Sequence, residues 1–149
     1  MPQVTFYKLT SRDLTPEEFA CRLSNKAWHN NLTIHIHTLD EKACQHLDKL
    51  LWEWRDCSFI PHFIHQPKDT FVIHGNIVTI GCDNPPKEQQ DVLINLAPSL
   101  PPFYNQFNKV CEIVANLNDN DSINVSRNKF RQYRAAGIKP KTYPISTTQ

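Results

Sequence analysis

Glycine is scarce in this chain: three in 149 residues, at Gly75, Gly81 and Gly137, none near another. A turn that cradles a phosphate needs clustered glycines so that the backbone can approach the ligand. Neither GxGxxG nor GxxxxGK[ST] occurs, which argues strongly against a dinucleotide or ATP enzyme. GxSxG and HExxH are missing too, which removes the hydrolase elbow and the zinc-protease helix. No run approaches the ~20 apolar residues of a membrane span. The opening Met-Pro-Gln-Val-Thr-Phe-Tyr carries no basic-then-apolar leader, so the expected location is cytoplasmic. The five cysteines, Cys21, Cys44, Cys57, Cys82 and Cys111, are odd in number, widely spaced and without a CxxC. Reduced, mostly buried thiols are expected.

Acid is missing from one end. After Asp121 there is no carboxylate side chain, while Arg127, Lys129, Arg131, Arg134, Lys139 and Lys141 follow. That segment is +6; the remainder, with 10 Lys+Arg against 15 Asp+Glu, is −5, and the net +1 conceals the split. Segregated charge of this kind points to an anionic partner for the C-terminal end.

What is present reads as one ordinary globular domain over 1–149, with a looser tail from about Pro140. Val4 to Leu9 is aromatic and β-branched, a first strand. Thr15-Pro16-Glu17-Glu18 starts a helix with a capping box and a proline at the first helical position. Leu32 to His37 is a second strand. Asp40 caps a second helix with Ala43, Leu47, Leu50, Leu51 and Trp54 inward. Cys57 to Lys68, with two prolines and no period, reads as a loop. Ile77 to Gly81 and Asp91 to Leu96 look like inner strands. Phe103 and Phe107 follow Pro101-Pro102 at helical spacing, Val110 to Ala115 is another strand, and a last helix runs from near Asp121 to Gly137. Strands alternating with helices predict a three-layer α/β/α sandwich with a mostly parallel central sheet, Rossmann-like but lacking the nucleotide-binding loop.

Four groups of residues could carry chemistry. On the last helix, Arg127, Arg131 and Arg134 fall within about 60° of one another at 100° per residue, and Ile123, Phe130 and Tyr133 occupy the adjoining arc. Guanidinium groups beside an apolar strip can clamp a carboxylate bidentately or hold a phosphate backbone; a solvated helix face docked through Phe130 is the plainer account. Cys57, His62 and His65 lack the four-ligand pattern of a zinc site, and His35 and His37 share one strand face, so no metal and no cofactor is expected. Cys82-Asp83 follows a strand at the edge where active sites collect, but a lone thiol beside a carboxylate is ordinarily structural. The run Trp52, Trp54, Phe59, Ile60, Pro61, His62, Phe63, Ile64 is either core or a second protein interface.

These residues resemble a known family, the chi subunit of bacterial DNA polymerase III holoenzyme. The resemblance rests on Thr5-Phe6-Tyr7-x-Leu9, Leu47-Asp48-x-x-Leu51-Trp52 and Ser58-Phe59-Ile60-Pro61-His62. It continues through Asp91-Val92-Leu93-Ile94-Asn95-Leu96 and Glu112-Ile113-Val114. The most specific block is Ser126-Arg127-x-Lys129-Phe130-Arg131-x-Tyr133-Arg134-x-Ala136-Gly137. It implies a non-catalytic accessory subunit of the clamp-loader complex, part of a DNA-directed DNA polymerase but not itself an enzyme. By similarity it pairs with the psi subunit and binds the acidic C-terminal tail of single-stranded DNA-binding protein (SSB), which ends in Pro-Phe. It would touch nucleic acid only through SSB, and no membrane. Arg127 and Arg131 would then hold the tail's carboxylates. Phe130, Tyr133 and Leu117 would border the pocket for its terminal ring, with Lys129 and Arg134 adding to the field. The psi surface maps onto Trp52, Phe59, Ile60 and Pro61. One turn before Arg127 the chain has Ile123 and Asn124 where the family pattern often has a further cation. The rival reading is a direct nucleic-acid-binding module using the same helix.

Overall fold

The computed structural model describes residues 1–10, 13–54, 60–66, 68, 73, 75–115 and 119–145. Seven strands, β1 Gln3–Leu9, β2 Ile34–His37, β3 His62–Ile64, β4 Val78–Gly81, β5 Val92–Asn95, β6 Lys109–Val114 and β7 Lys141–Ile145, form one sheet. Their order is β3-β4-β2-β5-β6-β1-β7 and every pairing is parallel. Helices α1 Pro16–His29, α2 Glu41–Glu53 and α3 Asn120–Ala135 supply the outer layers.

Side chains alternate across the pleat, and this alternation sorts the core into two faces. Ile34, Ile36, Val78, Ile80, Val92 and Ile94 point toward α1 and α2, where Ala20, Cys21, Leu47 and Leu51 cover them. Val4, Phe6, Leu93, Val110 and Val114 point the other way and meet Phe107, Tyr133 and Ile138. Because β1 leads into α1 on one face and β6 into α3 on the other, the layers are helix, sheet, helix.

The caps are where the residues place them. The Glu18 amide donates to Thr15 Oγ1 at 3.1 Å, and the Ala43 amide to Asp40 Oδ1 at 2.8 Å. Cys21, Cys44 and Cys111 are buried and Cys82 is half-buried, all four with free thiols; Cys57 lies outside the described residues.

Several expectations need correction. His62–Ile64, read as part of a loop, is edge strand β3, hydrogen-bonded to β4 through Val78 N–H to Pro61 O at 2.9 Å and His65 N–H to Ile80 O at 2.7 Å. Three residues are too few to show a period. Within the stretch from Pro140, read as a looser tail, Lys141–Ile145 form β7, paired along β1 from Thr5↔Lys141 to Leu9↔Ile145, while 146–149 lie outside the described residues. The segment around Phe103 and Phe107 is a single 3-10 turn, Tyr104–Gln106, flanked by the two rings. Those rings cover β2, so His35 and His37 are both buried.

Candidate functional site

Helix α3 is capped by Asp119, whose Oδ1 accepts the Asp121 amide at 3.1 Å and whose Oδ2 accepts the Ser122 hydroxyl at 3.0 Å. It ends in paired reverse bonds, Gly137 N–H to Arg134 O and Ile138 N–H to Tyr133 O, both 3.0 Å, with Gly137 at φ +88°. That left-handed turn is the stop glycine favours. The helix is unusual in its anchoring: of 16 residues only Lys129 and Tyr133 are buried.

Both anchors meet Glu112, in the middle of β6 and fully buried. Lys129 Nζ donates to Glu112 Oε1 at 2.7 Å and to Ala97 O at 3.1 Å. Tyr133 Oη donates to Glu112 Oε2 at 2.7 Å. Asn95, the Cα partner of Glu112 on β5, gives its amide to both carboxylate oxygens at 2.9 and 3.2 Å. Its own Oδ1 accepts the Ala97 amide at 3.0 Å. Burial first, then the adjacent Glu112 charge, pushes the Tyr133 phenol far above the ordinary range, so it stays a donor. A buried carboxylate is costly unless it is paired and hydrogen-bonded; here it is both.

With Lys129 turned inward, residues two positions to either side turn outward. Arg127, Arg131 and Arg134 are exposed, as are Lys139 and Lys141 beyond the helix. Among the described residues none of the three arginines is placed in an ion pair. Phe130 is half-buried at the border of this face, its ring 5.3 Å from that of Phe6. The structure therefore brings Arg127, Phe130, Arg131 and Arg134 to one surface and places Lys129 and Tyr133 behind it. Leu117 lies outside the described residues. A cavity of about 330 Å³ opens beside the start of α3, but Glu17 and Asp121 line it, which suits it poorly to an anionic chain.

The second expected surface lies at the opposite end of the sheet. Trp52 is 58% exposed on α2, its ring 4.4 Å from that of His62. The His62 Nδ1 meets Ile60 O at 2.7 Å, and its Nε2 is 3.7 Å from Asp48. Pro61 is exposed, Ile60 is core at 2% exposure, and Phe59 lies outside the described residues.

The model of one protein family, described as "DNA polymerase III chi subunit, HolC", matches residues 1–141. This chain belongs to that family. The DNA polymerase III subunit chi of Pseudomonas aeruginosa is 34% identical over 146 residues, 97% of this chain and 94% of that protein. Those of Haemophilus influenzae and Escherichia coli are each 28% identical, covering 89% and 95% of this chain and 90% and 97% of their own lengths.

In this chi chain the Cys82-Asp83 pair lies where expected, at the carboxyl edge of β4, in a crevice of about 630 Å³ shared with His37, His65 and Phe103. Burial, with neighbouring Cys44 and Asp83, pushes the Cys82 thiol up to about 11. A thiol held protonated is a poor nucleophile. Among the described residues no group of three or more His, Cys, Asp or Glu is placed to hold a metal ion, and no helix is long and apolar enough to cross a membrane. Sequence reasoning missed Glu112 and Asn95. The available signal was a lone acid inside Val110-Cys111-Glu112-Ile113-Val114, which as a core strand demands a buried cation from elsewhere.

Proposed function

We propose that this chain is a cytoplasmic, non-catalytic accessory subunit of DNA polymerase III that links the replicase to SSB-coated single strands. The exposed face of α3 takes the acidic C-terminal tail of SSB, and the edge bearing Trp52 and Pro61 takes the psi subunit. One observation carries the reading: three guanidinium groups, in no ion pair among the described residues, face outward from a helix locked from behind, with no acidic side chain in the sequence after Asp121. Arg127 and Arg131 hold the tail's carboxylates, Arg134 adds to the field, and Phe130 with Leu117 borders its terminal ring. Lys129 and Tyr133 act from beneath. An interface this small corresponds to a micromolar constant, roughly −8 kcal/mol.

A duplex or single strand is the other anion such a face could take, so the test sets the two side by side. Fluorescence anisotropy is measured with a labelled peptide ending Asp-Asp-Ile-Pro-Phe and with a labelled oligonucleotide, each against the free chain. The peptide is expected to bind and the oligonucleotide to bind far more weakly. The reverse order refutes tail binding as the primary role. For the second surface, Trp52→Ala is expected to impair co-purification with psi; normal pairing would remove Trp52 from that interface.

A further inference from the structure

The geometry points to Glu112 and Lys129 as positioning residues for the tail site: their buried ion pair sets the rotation of α3 and so the outward presentation of Arg127 and Arg131. The inference rests on the proposed tail-binding reading and deepens it.

A helix docked through an apolar stripe can turn or slide by small amounts, since dispersion contacts are individually weak and non-directional. Helix α3 has little such stripe, with Tyr133 its one buried aromatic and Phe130 half-buried. Beside the packing of Tyr133 and Phe130 against Phe6, its inner contact is a directional set of hydrogen bonds. Glu112 accepts from Lys129, Tyr133 and Asn95, while Lys129 also donates to Ala97 O and Asn95 to Ser99 O. None of the side-chain polar atoms of these four residues is left buried without a partner.

The key and the arginines lie on opposite sides of one cylinder. Residues two apart differ by about 200° around a helix, so Arg127 and Arg131 both stand nearly opposite Lys129. A turn of one residue, about 100°, would bring Asn128 or Phe130 to Glu112, strand the carboxylate and swing the guanidinium groups toward the sheet. Lys129 therefore contributes to binding through its effect on its neighbours. The paired charge acts as a registry device, the best-attested use of buried ion pairs.

The test is a double-mutant cycle on the full chain, read by titration with the acidic peptide. Lys129→Met with Glu112→Gln removes both charges at near-constant shape, so neither is left stranded. This variant is expected to melt cooperatively and to bind about tenfold more weakly, while Arg127→Ala, costing at least about tenfold in the parent, costs only two- to threefold in its background. A hub that merely holds the fold would not couple to Arg127. Parental affinity in the variant, or an unchanged Arg127→Ala effect, overturns the proposal. If the double variant does not fold, Tyr133→Phe replaces it, with about threefold weakening expected and no weakening overturning the inference. A parent chain that ignores the peptide would refute the tail reading alone. The positioning claim would then be decided by hydrogen exchange of α3 amides, where roughly tenfold lower protection in the variant supports it and equal protection overturns it.

Discussion

Glu112 and His35 are both fully buried polar side chains, and the fold treats them in opposite ways. Glu112 keeps its partners; His35 has Thr79 Oγ1 at 2.7 Å on Nδ1 and no partner on Nε2 among the described residues. Burial drives the His35 imidazole down to about 3, with His37 and His65 adding to it, so the ring is neutral in the folded chain. An unfolded histidine titrates near 6.5. Between these values the unfolded chain takes up a proton that the folded chain refuses, so stability falls as the pH drops below about 6.5. One such group contributes up to about 1.4 kcal/mol per pH unit, and His37, also lowered by burial, acts with the same sign. Urea melts at pH 7 and pH 5 should show the loss, and His35→Leu should reduce it. At Glu112 the expected pattern is different: Glu112→Ala strands the Lys129 ammonium and should cost about 3–5 kcal/mol, whereas the paired Glu112→Gln, Lys129→Met change should cost far less. Chemical denaturation of the two variants checks this. The outward arginines were legible from 100° arithmetic on one segment. The inward turn of Lys129 was not, because the carboxylate that explains it lies on another strand.

At the scale of elements, α1 and α2 were legible because their ends are written locally, in Thr15 with Glu18 and in Asp40. The parallel strands of the interior were legible as short apolar runs. What escaped were the edges, β3 and β7, where few side chains face the core and pairing alone defines the strand. β7 also shows how its open side is guarded. Thr10 N–H donates to Ile145 O at 2.9 Å, so Lys141, Tyr143 and Ile145 turn their backbone groups toward β1 while Thr142 and Pro144 turn theirs outward. Proline has no N–H, which leaves Thr142 as the outward donor and blunts edge-to-edge pairing. Pro144→Val should therefore raise self-association, seen as a concentration-dependent shift in sedimentation velocity. An unshifted profile would show that the proline does not protect the edge.

Over the whole molecule, the Trp52 edge beside β3 and the basic face beside β6 and β1 lie toward opposite ends of a seven-stranded sheet. At about 4.8 Å per strand that sheet is roughly 29 Å wide. On the proposed reading the two partners do not compete, and Trp52→Ala should leave tail affinity unchanged. Tail binding should weaken with salt, since the arginines are exposed and their contacts screened. The fold class and the charge asymmetry were both readable from composition and pattern. The site's support was not, because it is assembled by β5, β6 and α3 across a sheet crossing. The most direct test of the central claim is a calorimetric titration of the peptide ending Asp-Asp-Ile-Pro-Phe into the parent chain and into Arg127→Ala. Loss of about 1.5–3 kcal/mol in the variant, with its melting unchanged, is the predicted result. Equal affinity in the two proteins would contradict the account.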